Sequence, residues 1–167
     1  MKFQTPTRPR TFDGEIEAAH ELALTQREPV FVPASIYADD RGWSVMNLFQ
    51  GVLTPQGQIN FSLMYPGVIK AWHRHEKQTD FWLPATGQIK VGVQREEDGQ
   101  TWMLVTGEKH PGITIVPPKL WHGAATVGHE PAGLFYYVTR RYDPADPDEQ
   151  RRAYDSIDGF PWTVTMG

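Results

Sequence analysis

The chain has 167 residues, a formal net charge of −4 and no cysteine. This charge excludes a broad basic surface for nucleic acid or anionic membrane. Without cysteine there are no disulfides or thiolate metal sites, so a bound metal would need His, Asp or Glu ligands. The 14 prolines and 15 glycines are spread along the chain. They indicate many turns between short strands, and therefore an all-β protein.

The amino-terminal segment lacks the apolar run of a signal peptide, and no stretch is apolar for long enough to span a membrane. We therefore expect a cytoplasmic protein. Residues 1–13 are polar and predict an extended arm. The following segment GEIEAAHELALTQ predicts a short helix, because Ile16, Ala19 and Ala23 fall on one side of it.

Nine runs rich in apolar residues and bounded by turn residues predict strands in a sandwich or barrel: PVFVPASIY, GWSVMNLFQ, INFSLMYPG, IKAWHRH, DFWLP, QIKVGVQ, TWMLVTG, GITIVP and GLFYYVTRRY. Towards the carboxyl end, DPADPDEQRRAYD predicts a short helix capped by Asp146, followed by an extended tail. We expect one domain over residues 1–167, with an arm and short helix in 1–30, the barrel in 31–145, and a helix and tail in 146–167.

Two histidines stand two residues apart in the run VIKAWHRHEKQTDFWLPATG. Alternate side chains of a strand point to the same face, so His73 and His75 are predicted to project together. The opposite face is predicted to carry Lys70, Trp72 and Arg74. A hairpin can then bring Asp80 of the next strand opposite the two imidazoles if Asp80 faces inward.

The spacing Gly67, His73, His75, Asp80, Gly87 resembles the first motif of the cupin superfamily, with Asp80 where glutamate is usual. The run GITIVPPKLWHGAAT resembles the second motif and contributes His122. In that run Lys119 stands for the usual turn glycine and Thr126 for the usual asparagine. The resemblance implies a jelly-roll β-barrel in which the two motifs face each other, so that His73, His75, Asp80 and His122 converge.

Three imidazoles and a carboxylate with open coordination positions are able to hold Fe, Mn, Ni, Zn or Cu, and ligand type alone does not choose among these metals. The alternative is a polar, solvent-filled pocket without metal. Both interpretations stay open at the level of the sequence.

Four segments in the same order resemble the dTDP-4-dehydrorhamnose 3,5-epimerase family, which has the cupin fold: DDRGWSVM, PGVIKAWHRH, ITIVPPKLWHGA and AGLFYYVTRRYDPADPDEQRRAYDSIDGFPW. The resemblance implies a homodimer that epimerises a nucleotide sugar without a cofactor, and its polar arm before Gly14 is a candidate for crossing between subunits. His73 matches the catalytic base, Tyr136 the general acid, and Asp155 the carboxylate that orients the histidine. The implied substrate contacts are Arg41, Lys70 and His122.

These residue types suit the chemistry, because a ketone at C4 of a sugar acidifies the neighbouring C–H bonds. A histidine removes one proton and a phenol returns a proton from the opposite face. Non-functional alternatives are that Tyr136 merely packs, that Asp155 caps a turn and that Arg41 is a solvated turn residue. We expect the pair Arg151 and Arg152 on an exposed helix face, and His20, His110 and His129 on the surface.

The chain departs from the epimerase pattern where Lys70 replaces arginine, His75 replaces glutamine and Asp80 replaces a lysine that stabilises the enolate. An anion at this last position opposes negative charge on the substrate, unless a metal reverses the sign. Three hypotheses follow. They are a metal-free epimerase of a 4-keto-6-deoxy nucleotide sugar, a metal-dependent cupin lyase, isomerase or dioxygenase, and a non-catalytic cupin that binds sugar or metal.

Overall fold

The computed structural model describes residues 5–164. Its helix α1 spans Ile16–Gln26. The strands are β1 (Arg10–Thr11), β2 (Val30–Pro33), β3 (Ile36–Asp39), β4 (Gly42–Val45), β5 (Gln58–Met64), β6 (Ile69–Arg74), β7 (Asp80–Thr86), β8 (Gln88–Gln94), β9 (Thr101–Gly107), β10 (Gly112–Val116), β11 (Trp121–Val127), β12 (Ala132–Val138) and β13 (Gln150–Arg151).

Two sheets carry most of these strands. One has six strands in the order β1-β2-β10-β7-β12-β5, and the other has five in the order β13-β6-β11-β8-β9. The hairpin of β3 and β4 stands apart as a two-stranded sheet. This architecture confirms the predicted all-β class, and each of the nine predicted runs contains a strand. β11, the strand that begins at Trp121 and carries His122, is not among the nine predicted runs.

Helix α1 covers the outer face of the six-stranded sheet. Ala19 and Ala23 are fully buried against a cluster that includes Phe81 and Ile115, and Ile16 packs partly against it. Small side chains on the buried face let the helix lie close to the strands. The predicted helix and its buried side are therefore confirmed. Among residues 5–164, no helix combines the length and apolar character needed to cross a bilayer.

His20 on this helix was predicted to be a surface residue, and that prediction is wrong. Its Nε2 lies 3.1 Å from Thr79 Oγ1, and its ring packs edge-on against Phe81 with centroids 5.0 Å apart. Burial lowers the pKa of His20 below its ordinary value, although Glu21 acts in the opposite direction. The residue ties α1 to the segment just before Asp80.

The amino-terminal arm lies on its own chain over the part that the structure describes. β1 pairs in parallel with β2, and Thr7 bridges to Trp102 of β9. Thr7 and β1 therefore pair with strands of this chain. The crossing of the arm between subunits stays a prediction. Residues 1–4 of the predicted arm lie outside the described part.

The predicted helix at Asp146 is wrong. Residues 139–149 are irregular, and β13 then pairs antiparallel with the end of β6, with Gln150 opposite Arg74. The Asp148 carboxylate accepts hydrogen bonds from the backbone amides of residues 76–78. Contacts between segments more than 70 residues apart have overridden the local helix signal.

The C-terminal segment covers the outer face of the five-stranded sheet without forming a regular element. Phe160 and Trp162 pack against Trp72, with ring centroids 4.8 and 4.7 Å away. The ammonium of Lys90 donates to the carbonyl oxygens of Trp162 and Thr163 at 3.1 Å each. These contacts fix the tail beside the strand that carries His73.

Candidate active site

Three neighbouring strands bring the predicted motif residues together. His73 on β6 lies opposite His122 on β11 in the antiparallel ladder, and Asp80 begins β7 in the facing sheet. The potential ligand atoms of His73, His75, Asp80 and His122 all lie within 4.8 Å of one another. The convergence expected from the two motifs is therefore present in the structure.

A β-bulge shapes the strand that carries His73. The register between β6 and β11 shifts between His122 and Ala124, so that Ala124 lies opposite Lys70. Gly123 stands at this shift, and a Cβ there would lie 2.3 Å from the Cβ of Ala71, which only glycine avoids. The bulge breaks the alternation of faces. Lys70 therefore lies on the cavity side with His73, where its Nζ donates to Ser62 Oγ at 2.7 Å. The prediction that Lys70 lies on the face opposite His73 is wrong.

The turn before His122 is tied directly to the first motif. Lys119 has φ 69°, in the left-handed region that favours the glycine usual at this position. Its backbone N–H donates to the carbonyl oxygen of His75 at 2.6 Å. The two histidine motifs are thus joined by a backbone hydrogen bond as well as by the strand ladder.

Asp80 is a buried carboxylate whose two oxygens each accept a side-chain hydrogen bond. Gln78 Nε2 donates to Oδ1 at 2.6 Å, and Trp82 Nε1 donates to Oδ2 at 3.1 Å. Burial raises the pKa of Asp80, but a proton on the Nε2 of His122 and positive charge on His122, His75 and His73 would outweigh burial and hold the pKa below its ordinary value. The group is therefore an oriented anion at neutral pH.

Backbone carbonyls set the tautomers of two imidazoles. His122 Nδ1 lies 2.9 Å from the carbonyl oxygen of Leu120, and His75 Nδ1 is hydrogen-bonded to the carbonyl oxygen of Asp148. A carbonyl oxygen only accepts, so each Nδ1 carries a hydrogen. In the neutral form, each Nε2 then presents a lone pair.

Both lone pairs are directed towards the carboxylate. His122 Nε2 lies 3.4 Å from Asp80 Oδ2, and His75 Nε2 lies 3.9 Å from Asp80 Oδ1. The buried His122 Nε2 makes no hydrogen bond to any residue of the described range 5–164. Acceptors facing one another in a buried site repel unless a proton or a cation lies among them. The donor set therefore fits a divalent cation, and each imidazole has the backbone support typical of metal ligands.

Unlike the buried His122, and like His75, His73 lines the open cavity. Burial lowers its pKa well below the ordinary value, and His122 acts in the same direction, while Asp80 opposes them. Its ring lies 4.1 Å from that of His122 and 5.8 Å from that of Trp82, measured between centroids. His73 is therefore neutral at pH 7 and offers a lone pair.

A cavity of about 1200 Å³ opens beside the cluster. Its second wall contains Tyr136 of β12, next to Trp82 of β7 in the ladder. Burial raises the pKa of Tyr136, and the negative charges of Asp80 and Glu149 raise it further, so the phenol is protonated at neutral pH. Its wall on β5 is lined by polar residues that alternate with outward apolar ones: Gln58, Asn60 and Ser62.

The mouth of the cavity is rich in charge. Its cationic side chains are Lys70, Lys77, Arg140, Arg141, Arg151 and Arg152, and its acidic ones include Asp143, Asp146 and Glu149. Arg140 and Arg141 were not among the predicted site residues, although they directly follow the strand of Tyr136. The alternating polar residues of QINFSLM were not predicted either, although such alternation indicates a strand with one polar face.

Two predicted site residues lie away from the cluster. Arg41 is on the tip of the β3–β4 hairpin, where its 84% exposed side chain pairs with Asp39. Asp155 lies exposed in a turn of the C-terminal segment and does not line the cavity. The structure does not bring Asp155 to His73, because irregular residues 152–163 pass over the outer face of the sheet. Within the described range, Asp80 is the carboxylate beside the imidazoles.

Residues 37–150 match the family described as Polysaccharide biosynthesis C-terminal domain. The chain belongs to this family. It is 37% identical over 136 residues to the spore coat polysaccharide biosynthesis protein SpsL of Bacillus subtilis strain 168, covering 77% of this chain and 90% of SpsL. It is 41% identical over 101 residues to the probable low-salt glycan biosynthesis epimerase Agl13 of Haloferax volcanii, covering 57% of this chain and 65% of Agl13.

Among solved structures, this chain resembles the dTDP-6-deoxy-D-glucose-3,5-epimerase RmlC from Legionella pneumophila Philadelphia 1, crystallised in complex with dTDP-4-keto-L-rhamnose. The TM-score is 0.67 at 18% sequence identity, with 81% of this chain and 78% of that chain covered. The match confirms the predicted jelly-roll fold.

Replacing Asp80 by asparagine is expected to stabilise the metal-free protein. The amide N–H₂ of Asp80→Asn donates to the lone pair of His122 Nε2 from the Oδ2 position, and the amide oxygen still accepts from Gln78 Nε2, while the hydrogen bond from Trp82 Nε1 to Oδ2 is lost. One hydrogen bond replaces another and the variant no longer buries a negative charge, so we expect the free energy of unfolding to rise by about 1 kcal/mol. Urea unfolding of chelator-treated protein at pH 7.5 measures this change.

The matched control is Asp155→Asn, where the same change occurs on an exposed turn and the free energy of unfolding stays within about 0.5 kcal/mol of the parent. A clear loss of stability in Asp80→Asn would contradict the facing lone pairs. It would indicate instead a protonated imidazole paired with the carboxylate.

Proposed function

We propose that this protein is an epimerase that inverts a carbon next to the C4 ketone of a 4-keto-6-deoxy nucleotide sugar. Membership of a polysaccharide biosynthesis family supports this function, as do the relative described as a probable epimerase and the fold shared with a 3,5-epimerase. The cavity is large enough for a nucleotide sugar and has polar walls.

The observation that carries the proposal is the placement of His73 and Tyr136 on opposite walls of one cavity. His73 belongs to β6 of the five-stranded sheet, and Tyr136 belongs to β12 of the six-stranded sheet. Inversion requires a base on one face of the sugar ring and an acid on the other. A neutral imidazole and a protonated phenol are the forms that these roles need.

The reaction moves one proton in each direction. His73 accepts the hydrogen of the carbon next to the ketone, and the electron pair of that C–H bond shifts to give an enolate. Tyr136 then donates its proton to the same carbon from the other side. Solvent exchange restores the phenol and the neutral imidazole, so the sugar is isomerised with no net change in redox state.

Cationic side chains at the cavity mouth suit the diphosphate of such a substrate. Lys70, Arg140 and Arg141 lie along this edge, and guanidinium groups bind phosphate oxygens in a bidentate manner. His122 supports the site from behind, because it is buried beneath His73 and is not part of the cavity lining. We therefore propose Lys70, Arg140 and Arg141 as substrate contacts within one subunit.

Loss of the acid or the base is expected to stop proton exchange. With a 4-keto-6-deoxy nucleotide sugar in D₂O, the wild type incorporates deuterium next to the ketone, as measured by NMR. His73→Asn and Tyr136→Phe are each expected to lower the rate by about 100-fold or more, the typical effect of a positioned acid or base.

Tyr154→Phe is the matched control, since this tyrosine is 52% exposed and lies outside the cavity lining. Asp155→Asn is likewise expected to keep the wild-type rate, because the carboxylate does not reach His73. No exchange by the wild-type protein with any such sugar would overturn the proposed reaction.

A second candidate is a metal-dependent form of the enzyme, and the convergent Nε2 lone pairs favour it. His75, His122 and Asp80 would hold a divalent transition metal, with His73 as a fourth ligand or as the free base. When bound, such a cation polarises a substrate carbonyl and offsets the negative charge of Asp80. The other residues would keep their roles in binding and proton transfer.

Elemental analysis tests the metal directly. We expect about one equivalent of a transition metal in protein purified without chelator, and its loss in His75→Ala. His129→Ala changes an exposed turn histidine and is expected to leave the metal content unchanged. Less than about a tenth of an equivalent in the wild type after incubation with Zn²⁺, Mn²⁺, Fe²⁺, Ni²⁺ and Cu²⁺ would exclude the metal-dependent form.

We also propose a homodimer in which the β3–β4 hairpin of one copy lies along the free edge of β5 in another. Both surfaces expose apolar side chains: Ile36, Tyr37 and Trp43 on the hairpin, and Ile59, Phe61 and Leu63 on β5. An unpaired edge strand is a template for a further strand. The other face of β5 lines the cavity, so this arrangement would bring Arg41 of the partner towards the substrate.

The dimer is tested by sedimentation. We expect the wild type to sediment as a dimer at micromolar concentration and Phe61→Glu to sediment as a monomer, because the charge enters an apolar contact. Val105→Glu alters a comparably exposed position on the other sheet and is expected to remain dimeric. A monomeric wild type would overturn this arrangement.

The interpretation of residues 1–167 as one cupin domain remains a proposal. It is supported by α1 on the outer face of one sheet and by the C-terminal segment on the outer face of the other. The cytoplasmic location stays a prediction from the sequence.

A further inference from the structure

Asp148 lies near the end of the irregular segment 139–149 and contacts the turn between His75 and Asp80. Its carboxylate accepts three consecutive backbone N–H groups of the β6–β7 turn, from Glu76 at 2.9 Å, Lys77 at 3.0 Å and Gln78 at 3.1 Å. Charge-assisted hydrogen bonds of this kind are about twice as strong as neutral ones. One side chain therefore determines the conformation of the turn between His75 and Asp80.

The main chain of Asp148 acts on His75 directly. Its carbonyl oxygen accepts the Nδ1–H of His75, which leaves Nε2 directed at Asp80. The carboxylate and the carbonyl of one residue thus hold four consecutive positions, residues 75–78. The carboxylate holds segment 139–149 against this turn, together with the pairing of β13 with β6, and so brings the carbonyl to His75.

The same turn carries the donor that orients Asp80. Gln78, whose backbone N–H is held by Asp148, donates from its side chain to Asp80 Oδ1 at 2.6 Å. Two residues after Asp148, β13 pairs with the end of β6, where Arg151 lies opposite His73. Contacts from this one segment therefore reach three members of the catalytic cluster.

We propose that Asp148 is a positioning residue, which sets the tautomer and direction of the His75 imidazole and, through Gln78, the orientation of the Asp80 carboxylate. Asp148 itself does not touch the reacting atoms in this proposal. The effect on catalysis rests on the proposed epimerase function, whereas the effect on His75 does not.

Asp148→Asn is the decisive variant, because an amide has one acceptor oxygen and its N–H₂ group repels the N–H donors of the turn. Long-range ¹H–¹⁵N correlation of the imidazoles at pH 7.5, on chelator-treated full-length protein, reports which nitrogen of His75 carries the hydrogen. We expect the Nδ1–H form in the wild type and a mixture of both tautomers in Asp148→Asn. With a 4-keto nucleotide sugar, we expect kcat to fall by about 10- to 100-fold, as for supporting residues of other sites, with KM changed less than about twofold.

Asp158→Asn provides the matched control, since Asp158 is exposed and remote from the cavity lining, and it should change neither readout. Gln78→Met removes only the donor to Asp80, so we expect kcat to fall while His75 keeps its tautomer. This second variant tests whether Gln78 orients Asp80, even where Asp148→Asn does not fold.

An unchanged His75 tautomer and an unchanged kcat in folded Asp148→Asn would overturn the positioning role. An unchanged kcat in Gln78→Met would overturn the proposed effect of Asp148 on Asp80 through Gln78. If the wild type lacks epimerase activity, the proposed function fails, but the tautomer measurement still decides whether Asp148 positions His75.

Discussion

The site depends on the antiparallel pairing of β6 with β11, which places His73 opposite His122. Gly123 lets the two strands approach closely at the bulge, and the bulge turns Lys70 to the same side as His73. Without this irregularity the alternation of a strand would carry Lys70 to the outer face. The β-bulge thus places the imidazole of His73 and the ammonium of Lys70 on the same side, facing the cavity.

Charge inside the barrel is arranged around a carboxylate that is expensive to bury. Two donors orient Asp80, yet the imidazoles beside it turn acceptors rather than donors towards it. Such an arrangement is not what folding stability alone favours. It is typical of a site shaped for a proton, a cation or a substrate to complete. His73 and His75 line the open cavity together with Tyr136, whereas the buried His122 does not.

The segment after β12 runs from the six-stranded sheet to the five-stranded sheet and lines the cavity on the way. Arg140 and Arg141 stand at the cavity mouth, Asp148 holds the turn behind His75, and β13 adds an edge to the strand of His73. Beyond it, Phe160 and Trp162 cover the outer face and Lys90 anchors the tail. A region with little regular structure therefore carries both the proposed substrate contacts and the proposed positioning contacts.

From the sequence by itself, strand and helix periodicity predicted the all-β class, the helix with buried Ala19 and Ala23, and the shared face of His73 and His75. The convergence of Asp80 and His122 with them was predicted from the resemblance to the two cupin motifs. Tertiary structure alone decided the side of Lys70, the exposure of Asp155 and the use of Asp148. A bulge depends on the partner strand, and the helix signal around residue 146 was overridden by bonds to residues more than 70 positions away. Such long-range competition leaves no local pattern to read.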